Sequence, residues 1–380
     1  PGTGKTTIIN AIVKLYIEKE KLGSADIMET IALLAPTGRA AKKMNSSTGI
    51  PAYTIHRYLK WYKDSNEFVY NEFNKTHHKL IIVDEVSMID VDLFNALLNG
   101  INSNIKLILV GDTFQLPSVG PGLVLNELIE SDYFNYIPLN QIYRQSDNSY
   151  IPFLAKEIKN NDLSEEFLTK KDDYNFVNVD SSNIKKAIMQ ITNYSLSKGL
   201  DERNVQVLAP MYKGDAGIDA LNVILQNIYN PSKRNKEEVI YGDFIYREDD
   251  KVLQLVNDLD NNVFNGDIGF IERITGNKII INFDGNKVEY EKKDLKNIKH
   301  AYAISIHKSQ GSEFMHVIMP ISTSYYKMLY NKLIYTGVSR AKKSLTLVGD
   351  PTAFQRAVNN NYSSSRKTSL KEQISMVYNK

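Results

Sequence analysis

The sequence predicts an α/β fold used twice, each copy built on a mostly parallel sheet, with a small antiparallel barrel inserted in the second copy. Three observations carry this. Short apolar runs bounded by turn residues, Ile31 to Ala35, Leu80 to Val83, Leu107 to Val110, Val205 to Leu208 and Leu345 to Val348, are separated by helix-length segments, as buried parallel strands are. Two landmarks recur: IALLAPTGRAA at 31–41 is echoed by VQVLAPMYKGDA at 205–216, and LILVGD at 107–112 by LTLVGD at 345–350. The interval from Ala209 to Gly349 is nearly twice that from Ala35 to Gly111, so the second copy carries an insertion.

Along the chain, PGTGKTT opens a helix, and IALLA, LIIV and LILV supply the first sheet. Between them, Trp61 to His78 contains EFVYNEF, which reads as a β-hairpin or an exposed helix. The inserted stretch, 237–299, alternates FIYRE, KVLQLV, IGFIERI, KIIINF and VEYEK with Asp-Gly, Asn-Gly and Thr-Gly turns, the pattern of a small antiparallel barrel. The Ser, Asn and Lys rich end from Asn359 reads as a flexible joint followed by a short helix.

Composition narrows the chemistry. With 380 residues, 42% hydrophobic and 24% charged, the chain has material for two or three cores and is no disordered tail. The absence of cysteine excludes disulfides, thiolate metal sites and a cysteine nucleophile, so any metal sits on oxygen or histidine. A formal net charge of +2 neither requires nor forbids a polyanionic partner, which a local groove would decide. No apolar run approaches the roughly 18 residues that suggest a membrane span, so a soluble, cytoplasmic protein is expected. The start at Pro1, inside a phosphate-binding pattern, reads as part of a longer protein.

The residues that carry chemistry follow the strands. PGTGKTT is the end of a Gly-x-x-x-x-Gly-Lys-Thr loop. Gly2 and Gly4 turn amides toward phosphate oxygens, the following helix presents its positive end, Lys5 reaches the terminal phosphates and Thr6 offers a hydroxyl to Mg²⁺, with Thr3 and Thr7 as further nucleotide-binding candidates. LIIVDEVS puts Asp84 and Glu85 at a strand end, where adjacent carboxylates need a cation or a catalytic water between them; Asp84 suits Mg²⁺ and Glu85 suits water activation. Gln115 of GDTFQLPSVGPG is placed to sense a terminal phosphate, and Arg144 and Arg340 are candidates for neutralising a transferring phosphoryl group.

In order, PGTGKTT, APTGRAA, TIHRYL, LIIVDEVSMID, GDTFQLPSVGPG, LNQIYRQ, LAPMYKG, VFNGDIGFI, AISIHKSQGSEF and YTGVSRAKK resemble the motifs of the RecD-like DNA helicases of superfamily 1B, in their stand-alone bacterial form. The likeness runs over about residues 1–357, and the terminal RKTSLKEQI is similar to that family's ending. It implies two RecA-like P-loop NTPase domains, 1–145 and 146–236 with 300–357, an SH3-like β-barrel at 237–299, a tail at 358–380, and a strand-separating pin at 61–78. It also implies truncation at the phosphate loop, without the strand that normally precedes it. The implied activity is ATP-dependent 5′ to 3′ translocation on single-stranded DNA with unwinding at single/double-strand junctions, with ATP and Mg²⁺ as cofactors. Lys5, Thr6, Asp84, Glu85, Gln115, Arg144 and Arg340 would carry hydrolysis, with Gly311 and Glu313 near the nucleotide. Pro36, Thr37, Gly38, Arg39, Thr54, His56, Phe264, Asn265, His307 and Ser309 would form the DNA track, and Tyr53, Tyr58 and Trp61 are candidates for stacking on bases. Two rival readings are a nucleotide-binding regulatory subunit without hydrolysis and the helicase module of a conjugative relaxase.

Overall fold

Ile31–Ala35 and Leu80–Val83 are buried at every position, because both faces of these strands are covered. Alternate side chains of the same strand therefore enter different cores. Ile31, Leu33, Leu80 and Ile82 pack with Ile9 and Val13 of the helix Lys5–Glu20, whereas Ala32, Leu34, Ile81 and Val83 pack with Phe94 and Leu97 of the helix Val91–Gly100. The computed structural model describes residues 3–62, 65, 67–139, 149–361 and 366–378. The chain divides into two units, Pro1–Gln145 with Ser363–Lys380, and Ser146–Tyr362.

The first unit is built on a parallel sheet in the order Ala52–Thr54, Ile31–Ala35, Leu80–Val83, Lys106–Leu109. Trp61–Tyr62 and Glu67–Phe68 form a two-rung antiparallel hairpin, with the Trp61 and Phe68 rings 4.5 Å apart. The helix Leu370–Tyr378 also belongs to this unit and packs on Val124–Glu130.

The second unit holds a parallel sheet in the order Ala303–Ser305, Val205–Ala209, Phe314–Ile321, Ala341–Gly349, Tyr174–Asn178. Position by position, its first four strands repeat the first sheet, and Ala303–Ser305 is the counterpart of Ala52–Thr54. The internal repeat seen in the sequence is thus a repeat of topology. The fifth strand, Tyr174–Asn178, covers Ala341–Gly349 on the side where Lys106–Leu109 forms the edge of the first sheet.

Between the repeated strands stands the insertion, an antiparallel sheet in the order Asn286–Glu291, Lys278–Phe283, Ile268–Thr275, Lys251–Gln254, Ile298–His300, beside the hairpin of Glu238–Tyr241 and Phe244–Arg247. Its core holds Tyr246, Val252, Ile271, Ile281 and Tyr290. One buried carboxylate joins it to the parallel sheet's layer of helices. Asp250, fully buried, accepts hydrogen bonds from Gln226 (2.7 Å) of the helix Ile218–Tyr229 and from Asn230 (2.8 Å) just past its end, from Tyr302 (2.9 Å) and from the Arg247 amide (2.7 Å), with His300 at 3.2 Å. Leaving a buried donor without its acceptor costs about 1–3 kcal/mol. Asp250→Ala is accordingly expected to lower the urea midpoint of the second unit markedly, and an unchanged midpoint would show the network to be dispensable. Among the described residues no helix is long and apolar enough to cross a membrane.

Candidate nucleotide and nucleic-acid site

All strands of the first sheet run the same way, so their carboxyl ends lie along one edge, the side on which parallel α/β sheets bind ligands. Pro36 to Arg39, Thr54 to His56, Asp84 and Glu85, and Asp112 to Gln115 all follow directly from those ends. The helix Lys5–Glu20 starts from Gly4 in the left-handed region, φ 77°, with no side chain capping its first amides, which leaves them for an anion. Lys5 and Thr6 are half-buried and Thr7 is exposed; Gly2 and Arg144 lie outside the described residues.

The turn after Leu80–Val83 is fastened from both sides: the Asp84 amide donates to the Leu34 carbonyl at 2.9 Å and the Val86 amide to the Val110 carbonyl at 3.0 Å. Glu85 between them is held at φ 52°, a conformation that costs a non-glycine residue energy and that clusters at functional sites. Gly111 is required by the same closeness, since a Cβ there would fall 2.6 Å from Leu125 Cδ2 and 3.3 Å from the Val86 and Ser87 amides. Two side-chain acceptors, Glu85 Oε2 and Gln115 Oε1 on residues only 9% and 3% exposed, are buried here without partners, as is the Ser87 hydroxyl. Gln115 is oriented from its other end, where Nε2 donates to Asp112 Oδ2 at 3.4 Å. Unsatisfied buried acceptors are rare in folded proteins, and a pair of them at a strand-end edge suits a bound water or ligand.

Burial and the neighbouring Glu85 push the Asp84 carboxyl up to about 6, while the Glu85 amide, Lys5 and Lys43 pull it back. Lys5 and Lys43 offset the two carboxylates only in part, and further positive charge would lower Asp84. Hard oxygen donors, the Thr6 hydroxyl and the Asp84 carboxylate, are the ligand chemistry that Mg²⁺ takes, so the residues present fit the ion. Lys43, on the helix Gly38–Thr48, is a charge that sequence reasoning missed; lying beyond the APTGRAA motif, it gave no local signal.

In the second unit, Gly311 (φ 73°) and Glu313 share a loop with Ser312, whose carbonyl accepts from Arg340 Nη1 at 3.1 Å. Arg340 is 4% exposed and also donates to the Thr336 carbonyl and the Ser339 hydroxyl; Glu313 pairs with Lys342 at 3.3 Å. The three candidates are therefore contiguous, with the guanidinium stowed on internal oxygens.

Of the candidate DNA residues, Thr37 and Thr54 cap helices, accepting from the Ala40 and Arg57 amides, and they stand at equivalent strand ends because Ala35 pairs in register with Thr54. Pro36 and Arg39 are half-buried and Gly38 is buried, so Gly38 presents backbone only. His56 is exposed and packs against Trp61 and Phe68. His307 is exposed at the carboxyl end of Ala303–Ser305, the counterpart of the strand before His56. The adjacent Lys308 donates to Asn265 Oδ1 at 2.6 Å, which joins the barrel's Asn-Gly turn to the His307 turn. Two expectations are corrected for direct side-chain contact. Ser309 is fully buried and donates back to the Ile306 carbonyl at 2.6 Å, because the 3₁₀ turn folds its hydroxyl inward. Phe264 is 6% exposed, so its ring offers no face to a base. Tyr58 is core as well, its hydroxyl donating to Thr76 at 2.8 Å, whereas Tyr53 is half-buried with Arg57 over its ring.

Three family models match in chain order: an AAA domain over residues 1–121, the SH3 domain of ATP-dependent RecD-like DNA helicases over 221–283, and a UvrD-like helicase C-terminal domain over 300–348. The ATP-dependent RecD2 DNA helicase of Deinococcus radiodurans is 33% identical over 98% of this chain and 49% of its own length, so the chain spans about half of that relative. The RecBCD enzyme subunit RecD of Buchnera aphidicola is 29% identical over 94% of this chain and 70% of its own. A solved structure of Bacteroides Pif1 bound to ssDNA shares the fold, with TM-score 0.53 at 18% identity over 96% of this chain and 90% of that one. In chain order the three models fall on the first parallel sheet, the inserted antiparallel sheet and the end of the second parallel sheet, and the RecD2 and RecD helicases are homologues of this chain.

Proposed function

We propose that this chain is the motor of an ATP-dependent DNA helicase that moves 5′ to 3′ on single-stranded DNA and unwinds at single/double-strand junctions. The observation that carries the reading is the carboxyl edge of the first sheet, where Asp84, Glu85 and Gln115 share one row of strand ends with Thr37 and Thr54, and where the Lys5 charge acts on the Asp84 carboxyl. The named activity of the Deinococcus relative and the DNA held by the Bacteroides structure support it. Lys5 and the first amides of its helix neutralise the terminal phosphates of ATP, Glu85 takes the proton of the attacking water, and Gln115 orients that water or the γ-phosphate. Mg²⁺ held by Thr6 and Asp84 would neutralise charge on the β and γ phosphates. Arg340 acts by exchanging the Ser312 carbonyl for a phosphoryl oxygen, a stronger, charge-assisted partner. Thr37, Arg39, Thr54, His56, Asn265 and His307 are the proposed track, joined by Lys308.

The test compares ATP hydrolysis with and without single-stranded DNA for the wild type and Lys5→Ala. Stimulation by DNA and loss of the rate in the variant are expected; an unstimulated rate, or a variant that keeps it, overturns the motor reading. Polarity has its own test: a duplex with a 5′ tail is expected to be unwound in preference to one with a 3′ tail, and the opposite preference rejects the assigned direction.

A further inference from the structure

The loop that carries Gln115 is poor in its own donors. In QLPSVGPG, Pro117 and Pro121 have no N–H, Val119 at the tip is 97% exposed, and the Ser118 hydroxyl reaches only the Gly120 carbonyl at 3.0 Å, so the loop's carbonyls draw most of their donors from elsewhere. Their source is Arg366, which lies nearly 250 residues further along the chain within the same unit. Its Nη1 donates to the Gly120 carbonyl at 2.6 Å, the Gly122 carbonyl at 3.1 Å and the Ser118 hydroxyl at 3.3 Å, and its Nη2 donates to the Ser118 carbonyl at 2.6 Å. A planar fork serves three carbonyls at once in a way that a lysine ammonium does not. The helix Leu370–Tyr378 then fixes the other side of the loop. It packs on Val124–Glu130, which follows the loop directly, with the Lys371 amide 3.4 Å from Glu127 Oε1 and the Tyr378 ring stacked on Tyr133 at 4.6 Å. Against the sheet the loop fits closely: the Val91 amide donates to the Pro121 carbonyl at 3.0 Å, and a side chain at Gly120 would collide with the Asp90 carboxylate.

We propose that Arg366 is a positioning residue for ATP hydrolysis: it holds the 117–122 loop so that Gln115, three residues before Ser118, keeps its buried carboxamide oxygen aimed at the nucleotide edge. The C-terminal segment is thereby part of the catalytic apparatus, acting through Gln115 without touching substrate. The inference rests on the ATPase reading above. The experiment uses the full chain as wild type, Arg366→Ala, Gln115→Ala and the double variant. It measures kcat and KM for ATP, and hydrogen exchange at the amides of residues 116–123. Arg366→Ala is expected to lower kcat by about 10- to 100-fold with KM for ATP nearly unchanged, to be partly restored by millimolar guanidinium, and to add little to Gln115→Ala. Loop amides should exchange faster while those of Leu80–Val83 do not. Losses that multiply in the double variant, or loop protection that survives Arg366→Ala, overturn the proposal. If the wild type itself hydrolyses no ATP, the motor reading fails separately, and the exchange measurement still decides whether Arg366 holds the loop.

Discussion

Glu85→Gln is expected to lower DNA-stimulated ATP hydrolysis by about 10²–10⁴-fold, the usual contribution of a positioned general base, while ATP still binds. The carboxylate stands on a backbone held at φ 52° by hydrogen bonds from its neighbours to Leu34 and Val110, so its placement comes from the sheet. Glutamine has the same shape and leaves that framework intact, yet its amide cannot accept the proton of an attacking water. Glu85 Oε2 is buried without a partner, so it is available to a bound water. Steady-state hydrolysis and binding of a fluorescent ATP analogue, measured on the same samples, check the result. A variant that hydrolyses ATP at the wild-type rate removes Glu85 from the mechanism, and one that no longer binds nucleotide makes it a structural residue.

Much of this arrangement was legible in the sequence for a physical reason. Strands covered on both faces, such as IALLA and LIIV, must be continuously apolar, and such runs announce themselves. The barrel was legible through its Asp-Gly and Asn-Gly turns. Ala52–Thr54 and Ala303–Ser305 were not, because three residues are too few to show a period, although these strands set the topology and carry His56 and His307 at their ends. Ser309 and Phe264 sit beside residues that do face solvent, and only the local turn geometry turns them inward. Long-range polar contacts were the least visible. Asp250 stands in a run of charged residues that reads as surface, and Arg366 in a polar tail, yet each is tied to oxygens or donors far off in the chain that leave no local pattern.

Asp84→Asn is expected to abolish Mg²⁺-dependent ATP hydrolysis and at the same time to make the ligand-free first unit more stable at neutral pH. The two effects have one cause. Burial, then the adjacent Glu85, raise the Asp84 carboxyl to about 6, above the roughly 3.9 of an unfolded aspartate. Between those two values the folded chain holds a proton that the unfolded chain has released, so wild-type stability falls as pH rises through that window and stays lower above it. Asparagine carries no charge to bury. Its advantage should be absent below about pH 4 and complete above about pH 6, on the order of 2–3 kcal/mol. Mg²⁺ with ATP reverses the ranking, because a cation beside Asp84 supplies further positive charge and stabilises only the wild type. By the same linkage, wild-type affinity for Mg²⁺ with ATP should weaken as pH falls through about 6, where the carboxylate takes up a proton, and the variant's weak binding should not follow pH in that range. Thermal unfolding at pH 5 and pH 8, each with and without Mg²⁺ and ATP, distinguishes these outcomes. An Asn variant less stable than wild type at pH 8 without ligand would mean that Asp84 is already neutralised by Lys5 and Lys43, and that no cation is needed to complete the site.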